Sequence, residues 1–419
     1  MKVCLINTSD SGGGAAIACS RLLKALRVTI DVNMAVQDKS TTKKDIVSMK
    51  HKLFGKLVSE FNFLLERMPF IIFYEKNKSQ RFAFSTASTG SDICKDKDII
   101  DASILHLHWV NRGFLSINSL KKLLKLKKPV VWTLHDMWAF TGGCHYSGDC
   151  NHFLNSCGNC PILRNPRQND LSKRVWLAKE ASYRQNKDMV IVACSEWMAS
   201  MARKSSLMKN FKIIAIPNPI DTNVYRGLDR KRIRKRWRIS EDAQVILFGA
   251  ANINDQRKGI GYLVKAIEIL KLTPKTNRLI EVVFFGKNTQ LDISALPFPV
   301  KALPLIKSEQ ELVEVYNLAD VFVLPSLEDN LPNMVLEALA CSIPVVAFNQ
   351  GGIPEMIDHQ QNGYIADFKS ANDLAHGISW VLSQESALLK NNALKKVKTS
   401  FSEDIVAKKY IKLYQSLLK

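Results

Sequence analysis

The sequence has no apolar run of about 18 residues, so no transmembrane helix is expected. The apolar stretch in the opening M-K-V-C-L-I-N-T is too short for a signal peptide and reads as a buried first strand, which makes a cytoplasmic chain the expectation. Acidic side chains are in the minority: 39 Asp and Glu against 59 Lys and Arg, a net charge of +20. That balance favours anionic partners such as nucleic acid, phospholipid or phosphorylated small molecules. No zinc finger, RNA-recognition signature or ladder of basic and aromatic residues accompanies it, so no nucleic-acid partner is expected. The positive charge gathers at Lys121–Lys128 and Arg230–Arg238, where solvated helix faces explain it as well as an anionic partner does.

What is present is a chain of 419 residues, 46% hydrophobic, long enough for two domains with sizeable cores. Short unalternating apolar runs occur at Val3–Asn7, Val32–Val36, Ile104–Trp109, Val130–Leu134, Met189–Cys194 and Ile213–Ile216. A second series runs through Val245–Gly249, Leu279–Phe285, Val321–Pro325 and Val345–Phe348. Such runs mark strands covered on both faces, and helical patterns separate them. Two βαβ series predict an α/β chain of two doubly wound domains. The expected boundaries are 1–217 and 218–395, with the joint at I-P-N-P-I-D and the charged run after it. A C-terminal helix over 396–419 is expected to pack back toward the N-terminal domain.

Between Lys50 and Ser85 the pattern changes. Phe54, Leu57, Val58, Phe61, Leu64, Leu65 and Met68 recur at helical spacing, followed by P-F-I-I-F-Y. Either this helix packs on its own domain, or it faces a membrane and meets a lipid-linked acceptor, a reading its basic flanks support.

Four loops at expected strand ends carry chemistry. Ser11–Ala15 (S-G-G-G-A) lets backbone approach a ligand at a helix N-terminus, though it does not match the G-x-G-x-x-G spacing of dinucleotide folds. Ala250–Gly259 brings Arg257 and Lys258 to the ligand edge of the second sheet, where cations can neutralise a departing diphosphate. Pro325–Ala340 places Asp329 and Glu337 eight residues apart across a helix start. Asn349–Glu355 adds a glycine loop at Gly351 and Gly352. A helix cap, a tight turn or a surface loop accounts for any one of them; their order along one domain is more specific.

On these residues the chain resembles the retaining glycosyltransferases of family 4, whose GT-B architecture has two Rossmann-like domains facing across a cleft. An acidic residue, seven spacers and a Glu after a Pro-Ser strand end match Asp329 and Glu337, and L-E-A-L-A-C-S-I-P-V-V-A matches the flank. Lys258-Gly259, Asn218-Pro219-Ile220-Asp221 and V-W-T-L-H-D (Val131–Asp136) match further family positions. Two departures stand out: Asp329-Asn330-Leu331-Pro332 replaces the frequent Glu-Gly-Phe-Gly, and Ile253 stands where the family has Arg.

The resemblance implies a UDP- or GDP-linked sugar donor, a glycan or lipid-linked acceptor and no catalytic metal. By its pattern Asp329, His135, Lys258 and Arg257 are the catalytic candidates. Glu337, Gly13, Gly14, Asn330, Gly351 and Gly352 are donor-side candidates, with Glu337 on the ribose and the cations on the diphosphate. His108, Trp109 and Asn111, in L-H-L-H-W-V-N, are acceptor-side candidates; core packing explains Trp109 equally well. The implied activity is retaining sugar transfer in bacterial surface polysaccharide synthesis, in the cytoplasm or at the inner face of the membrane as a peripheral protein. The rival is a basic membrane- or nucleic-acid-binding scaffold with a degenerate site.

Nine cysteines complete the inventory. Cys4, Cys194 and Cys341 lie in or beside apolar segments and suit a reducing compartment. Cys144, Cys150, Cys157 and Cys160 fall within seventeen residues with spacing Cys-x5-Cys-x6-Cys-x2-Cys. Four thiolates suit a closed structural zinc site, with His145 and His152 as substitute ligands; two disulfides are the rival.

Overall fold

The computed structural model describes residues 1–49, 55–272, 279–287 and 296–419. The chain divides into two compact units, Met1–Pro217 with Ala407–Lys419, and Asn218–Val406.

The first unit is built on a seven-stranded parallel sheet. Its strands are β1 (Lys2–Ser9), β2 (Asp31–Asp38), β3 (Ile46–Ser48), β4 (Ile104–Leu107), β5 (Val130–Leu134), β6 (Val190–Ala193) and β7 (Lys212–Ala215), in the order β3-β2-β1-β4-β5-β6-β7. Every residue of β4, β5 and β6 is buried, as strands covered by helices on both faces must be. Trp132, Trp138 and Tyr183 fill the core beside β5. Ala407–Lys419 closes the unit: Tyr410 and Tyr414 are buried, and their hydroxyls reach Thr133 and His106.

The second unit carries six parallel strands, β8 (Gln244–Asn252), β9 (Ile280–Lys287), β10 (Val300–Ala302), β11 (Val321–Leu324), β12 (Val345–Phe348) and β13 (Gly363–Ala366), ordered β10-β9-β8-β11-β12-β13. Both sheets therefore reverse direction of strand addition once, beside β1 and β4 in the first unit and beside β8 and β11 in the second. Such a switch point opens a crevice at the carboxyl ends of the strands.

Three strands carry no clear sequence signal: β3, β10 and β13. All lie at sheet edges; β3 and β10 have three residues each and are only partly covered, whereas β13 is mostly buried but its short G-Y-I-A run opens on glycine, a poor strand former. At the other extreme, His108 and Trp109 lie just beyond the end of β4, not within it. The Arg230–Trp237 helix is not a plain solvated face. Arg234 is buried and donates to the carbonyls of Leu318, Ser240, Glu241 and Ala243, and Arg230 and Arg234 both pair with Asp320. Part of the basic run is thus consumed internally.

Candidate active site

In the second unit the loops after β8, β11 and β12 form one assembly, because these strands are neighbours in the sheet. The N–H of Leu327 donates to the carbonyl of Arg257 at 2.7 Å, and that of Gly352 to the carbonyl of Asn330 at 2.8 Å. Gly259 and Gly351 both have positive φ, 67° and 61°. A Cβ at Gly259 would meet the carbonyl oxygen of Pro325, and one at Gly351 that of Asp329. Glycine is required at both places by the left-handed backbone and by the closeness of the next loop.

Within that assembly Lys258 Nζ lies 2.7 Å from Asp329 Oδ2. Arg257 turns to Asp255 instead, with Nη2 to Oδ2 at 2.7 Å and Nε to Oδ1 at 3.1 Å. Burial pushes the Asp255 carboxyl up, but the Arg257 contacts outweigh it and hold the group below its ordinary value. Glu337 is buried in the Asn333–Ala340 helix, where its Oε2 accepts a 2.8 Å hydrogen bond from the Tyr316 hydroxyl. Pro332 precedes this helix and supplies no side-chain cap. Asn330 is buried beside it, and the fully buried Ser326 hydroxyl has no hydrogen-bond partner among the described residues. The Asn218 amide, at the joint, lies 3.5 Å from the Leu331 carbonyl and 3.4 Å from Asn333 Oδ1.

In the first unit the candidates gather at the ends of β1, β4 and β5. Gly13 has φ 110° and precedes the Gly14–Leu26 helix; a Cβ there would meet nothing within 4 Å. His108 Nδ1 and His135 Nε2 lie 3.0 Å apart, and His135 Nδ1 is 3.8 Å from Cys194 Sγ. Burial pushes the His135 imidazole down to about 4 against the opposing pull of Asp136, so the ring is neutral at neutral pH. His106 lies beneath, bonded to Tyr414 and Thr133 at 2.7 Å each, and burial takes it to about 3. Among the described residues, two buried atoms in this group, His108 Nε2 and Asn111 Nδ2, have no hydrogen-bond partner.

Trp109 is partly exposed, and its indole N–H donates to Asp136 Oδ2 at 2.9 Å. Asp136 also accepts from His145 Nδ1 at 2.7 Å, while His145 Nε2 lies 2.9 Å from Ser85 Oγ. Both ring nitrogens of His145 are therefore engaged, and it is not a spare thiol-site ligand. Asp136 ends the V-W-T-L-H-D run, but the sequence alone assigns it no role of its own. Ser85 and Tyr316 carry no local signal, because their partners lie 60 and 21 residues away.

Cys144, Cys150, Cys157 and Cys160 all line one cavity with His152, which has about 20 Å³ open to the centre of a water-sized sphere. That is room for one small guest. The thiols are free: burial pushes Cys144 and Cys160 up to about 12 and Cys157 to about 11. Among the described residues, no three His, Cys, Asp or Glu side chains are gathered closely enough to hold a metal.

Solved structures superpose on this chain along its whole length. Sucrose-phosphate synthase from Thermosynechococcus elongatus superposes with a TM-score of 0.67 at 16% identity, over 100% of this chain and 99% of that one. HepE from Anabaena, solved with UDP-glucose, gives 0.62 at 14% identity over 99% and 100%. These likenesses show the fold, GT-B. In sequence, the N,N'-diacetylbacillosaminyl-diphospho-undecaprenol alpha-1,3-N-acetylgalactosaminyltransferase of Campylobacter jejuni is 35% identical over 121 residues, 28% of this chain and 32% of that protein. The capsular polysaccharide biosynthesis glycosyltransferase CapM of Staphylococcus aureus is 24% identical over 238 residues, 55% of this chain and 62% of that protein. The chain thus spans less than two thirds of the length of these relatives. Residues 229–398 match the model for glycosyl transferases group 1. Residues 13–224 match that for Glycosyltransferase Family 4, half of the chain, and the chain belongs to that family.

Proposed function

We propose that this chain transfers a sugar from a UDP- or GDP-linked donor to a glycan or lipid-linked acceptor, with retention of anomeric configuration, during assembly of a bacterial surface polysaccharide. The observation that carries the reading is the Lys258–Asp329 pair at the switch point of the second sheet, on the loop assembly that holds Asn330, Gly351 and Gly352. The relatives' names support the acceptor class: a diphospho-undecaprenol acceptor in one and capsule synthesis in the other.

In this reading the bond between the anomeric carbon and the diphosphate oxygen breaks, and a bond to an acceptor oxygen forms through an oxocarbenium-like transition state. The nucleoside diphosphate departs, and its phosphate oxygen takes the acceptor proton. Lys258 stabilises the charge that develops on the leaving diphosphate, and Arg257 adds to it from the loop's exposed side. Asp329 holds Lys258 in place and faces the sugar hydroxyls. Glu337, fixed by Tyr316, binds the ribose diol. In the first unit, neutral His135 contacts the sugar near the breaking bond. Gly13 and Gly14 leave room for the donor, while His108, Trp109 and Asn111 meet the acceptor. The active chain works in the cytoplasm, at the inner face of the membrane.

We keep the four clustered thiols as candidate ligands of one structural zinc ion on the support that all four line a common cavity, although among the described residues no three of them are gathered closely enough to hold it as they stand; the rival is a pair of disulfides. When bound, zinc would tie the 144–160 segment together.

A panel of UDP- and GDP-linked sugars, incubated with the purified chain and followed by calorimetry and release of nucleoside diphosphate, tests the proposal. Binding and slow hydrolysis of one donor are expected. Binding of none of them would remove it.

A further inference from the structure

The Gly55–Pro69 helix is amphipathic with its polar side turned inward. Ser59, Glu66 and Arg67 are buried. By contrast Leu57 is 69% exposed, Phe61 57% and Leu64 52%. The exposed apolar surface runs on through Ile72 at 51%, Phe73 at 63% and Phe82 at 67%. Phe54, expected on the same stripe, lies outside the described residues. The helix does not pack its apolar stripe on its own domain.

The cause is visible in the contacts of the buried side. Glu66 accepts from the backbone N–H groups of Ala87 and Gly113, at 2.9 and 3.2 Å. Arg67 donates to the Phe84 carbonyl at 2.9 Å, and its guanidinium lies over the rings of Phe63, Phe70 and Phe82. Gly113 meets the helix backbone itself: a Cβ there would lie 2.7 Å from the N of Phe63. These anchors forbid rotation of the helix about its axis, because turning the apolar stripe inward would strand a buried ion on each side. A contiguous apolar surface held outward in this way marks an interaction site.

Its surroundings say what binds there. Arg112 lies 5.4 Å from the Phe63 ring centroid, Arg174 donates to the Tyr74 hydroxyl at 2.8 Å, and Arg164 donates to the Ile72 carbonyl at 3.3 Å. All three are exposed, as are Lys76 and Lys78 in the turn that follows. The acids nearby are mostly spent: Glu66 is buried, and Glu75 is buried and paired with Arg81. Exposed Glu60 is the exception. Apolar side chains rimmed by cations complement an anionic lipid surface, with rings and alkyl groups among the acyl chains and the cations at the headgroups.

We propose that the Gly55–Pro69 helix and the turn through Phe82 are a docking surface for an anionic lipid bilayer. No helix of the described residues is long and apolar enough to cross one, so the contact is peripheral. The proposal deepens the transferase reading, since a lipid-linked acceptor resides at a membrane, but its test does not require transfer.

The test is flotation of the full chain with phosphatidylcholine vesicles, with and without phosphatidylglycerol. The chain is expected to float with the anionic vesicles and to release as salt is raised. The triple variant Leu57→Ser, Phe61→Ser, Leu64→Ser changes exposed side chains only and should keep the wild-type circular dichroism melt, yet lose about tenfold or more in vesicle affinity. Lys76→Glu with Lys78→Glu should lose about tenfold on anionic vesicles and little on neutral ones. Failure of the wild type to float with either vesicle overturns the proposal. So does a dimer that the triple variant dissolves, with no vesicle binding, since the partner is then a second copy of the chain. Sugar-nucleotide binding measured alongside separates these failures from failure of the transferase reading.

Discussion

Lys258 Nζ and Asp329 Oδ2 stand 2.7 Å apart although 71 residues separate them in the chain. They meet because β8 and β11 are adjacent strands, so the loops that leave them share one edge. The two charges offset each other in the pair, and in the proposed reading an anionic donor draws on the lysine.

Replacing Lys258 by Ala should therefore lower donor turnover by about 100-fold or more, the usual loss when one stabiliser of a developing anion is removed. Some stability should be lost as well, because Asp329 is only 14% exposed and loses its ion-pair partner, so turnover is compared at a temperature where the variant is folded by circular dichroism. Turnover within a few-fold of wild type would take the leaving-group role away from Lys258.

Tyr316→Phe removes the hydroxyl that fixes Glu337 and leaves a buried carboxylate oxygen short of a donor. A loss of about 1–3 kcal/mol in stability is expected, read as a lower melting temperature, together with weaker nucleotide binding. Unchanged affinity for a free nucleoside diphosphate would mean that Glu337 does not hold the ribose.

Stability should fall on acidification below about pH 6.5, the ordinary histidine value. Burial holds His106 near 3 and His135 near 4 in the folded chain, so between 6.5 and those values the unfolded chain binds protons that the folded chain refuses. Stability from these groups is present above 6.5 and is lost as pH falls, by up to about 1.4 kcal/mol per pH unit for fully buried His106. Melting temperatures between pH 7 and 5 should drop less steeply in His106→Gln than in wild type. Equal slopes would sink the assignment.

Protein purified without chelators should contain about one zinc per chain if the four clustered thiols act as ligands, and Cys157→Ser should lower both zinc content and melting temperature. Absence of metal, with the four thiols unreactive until reduced, would assign them to disulfides instead.

The sequence by itself determined the two βαβ series, because strands covered on both faces must be short apolar runs, and their ends are where Gly12–Gly14, His108, His135, Lys258 and Asp329 stand. The edge strands β3 and β10 escaped, being too short and too little covered to impose a pattern, and so did β13, whose four-residue run opens on glycine.

Only the tertiary structure decided which of these residues touch. Strand order brings Lys258 to Asp329, and the Tyr316 hydroxyl reaches Glu337 across 21 residues. The chain end returns Tyr414 to His106, 308 residues away. It also decided the direction of the Gly55–Pro69 helix. Helical spacing groups Leu57, Phe61 and Leu64 on one stripe but does not say which way that stripe faces. Glu66 and Arg67 settle it, because their polar atoms find partners in distant loops that no local pattern encodes.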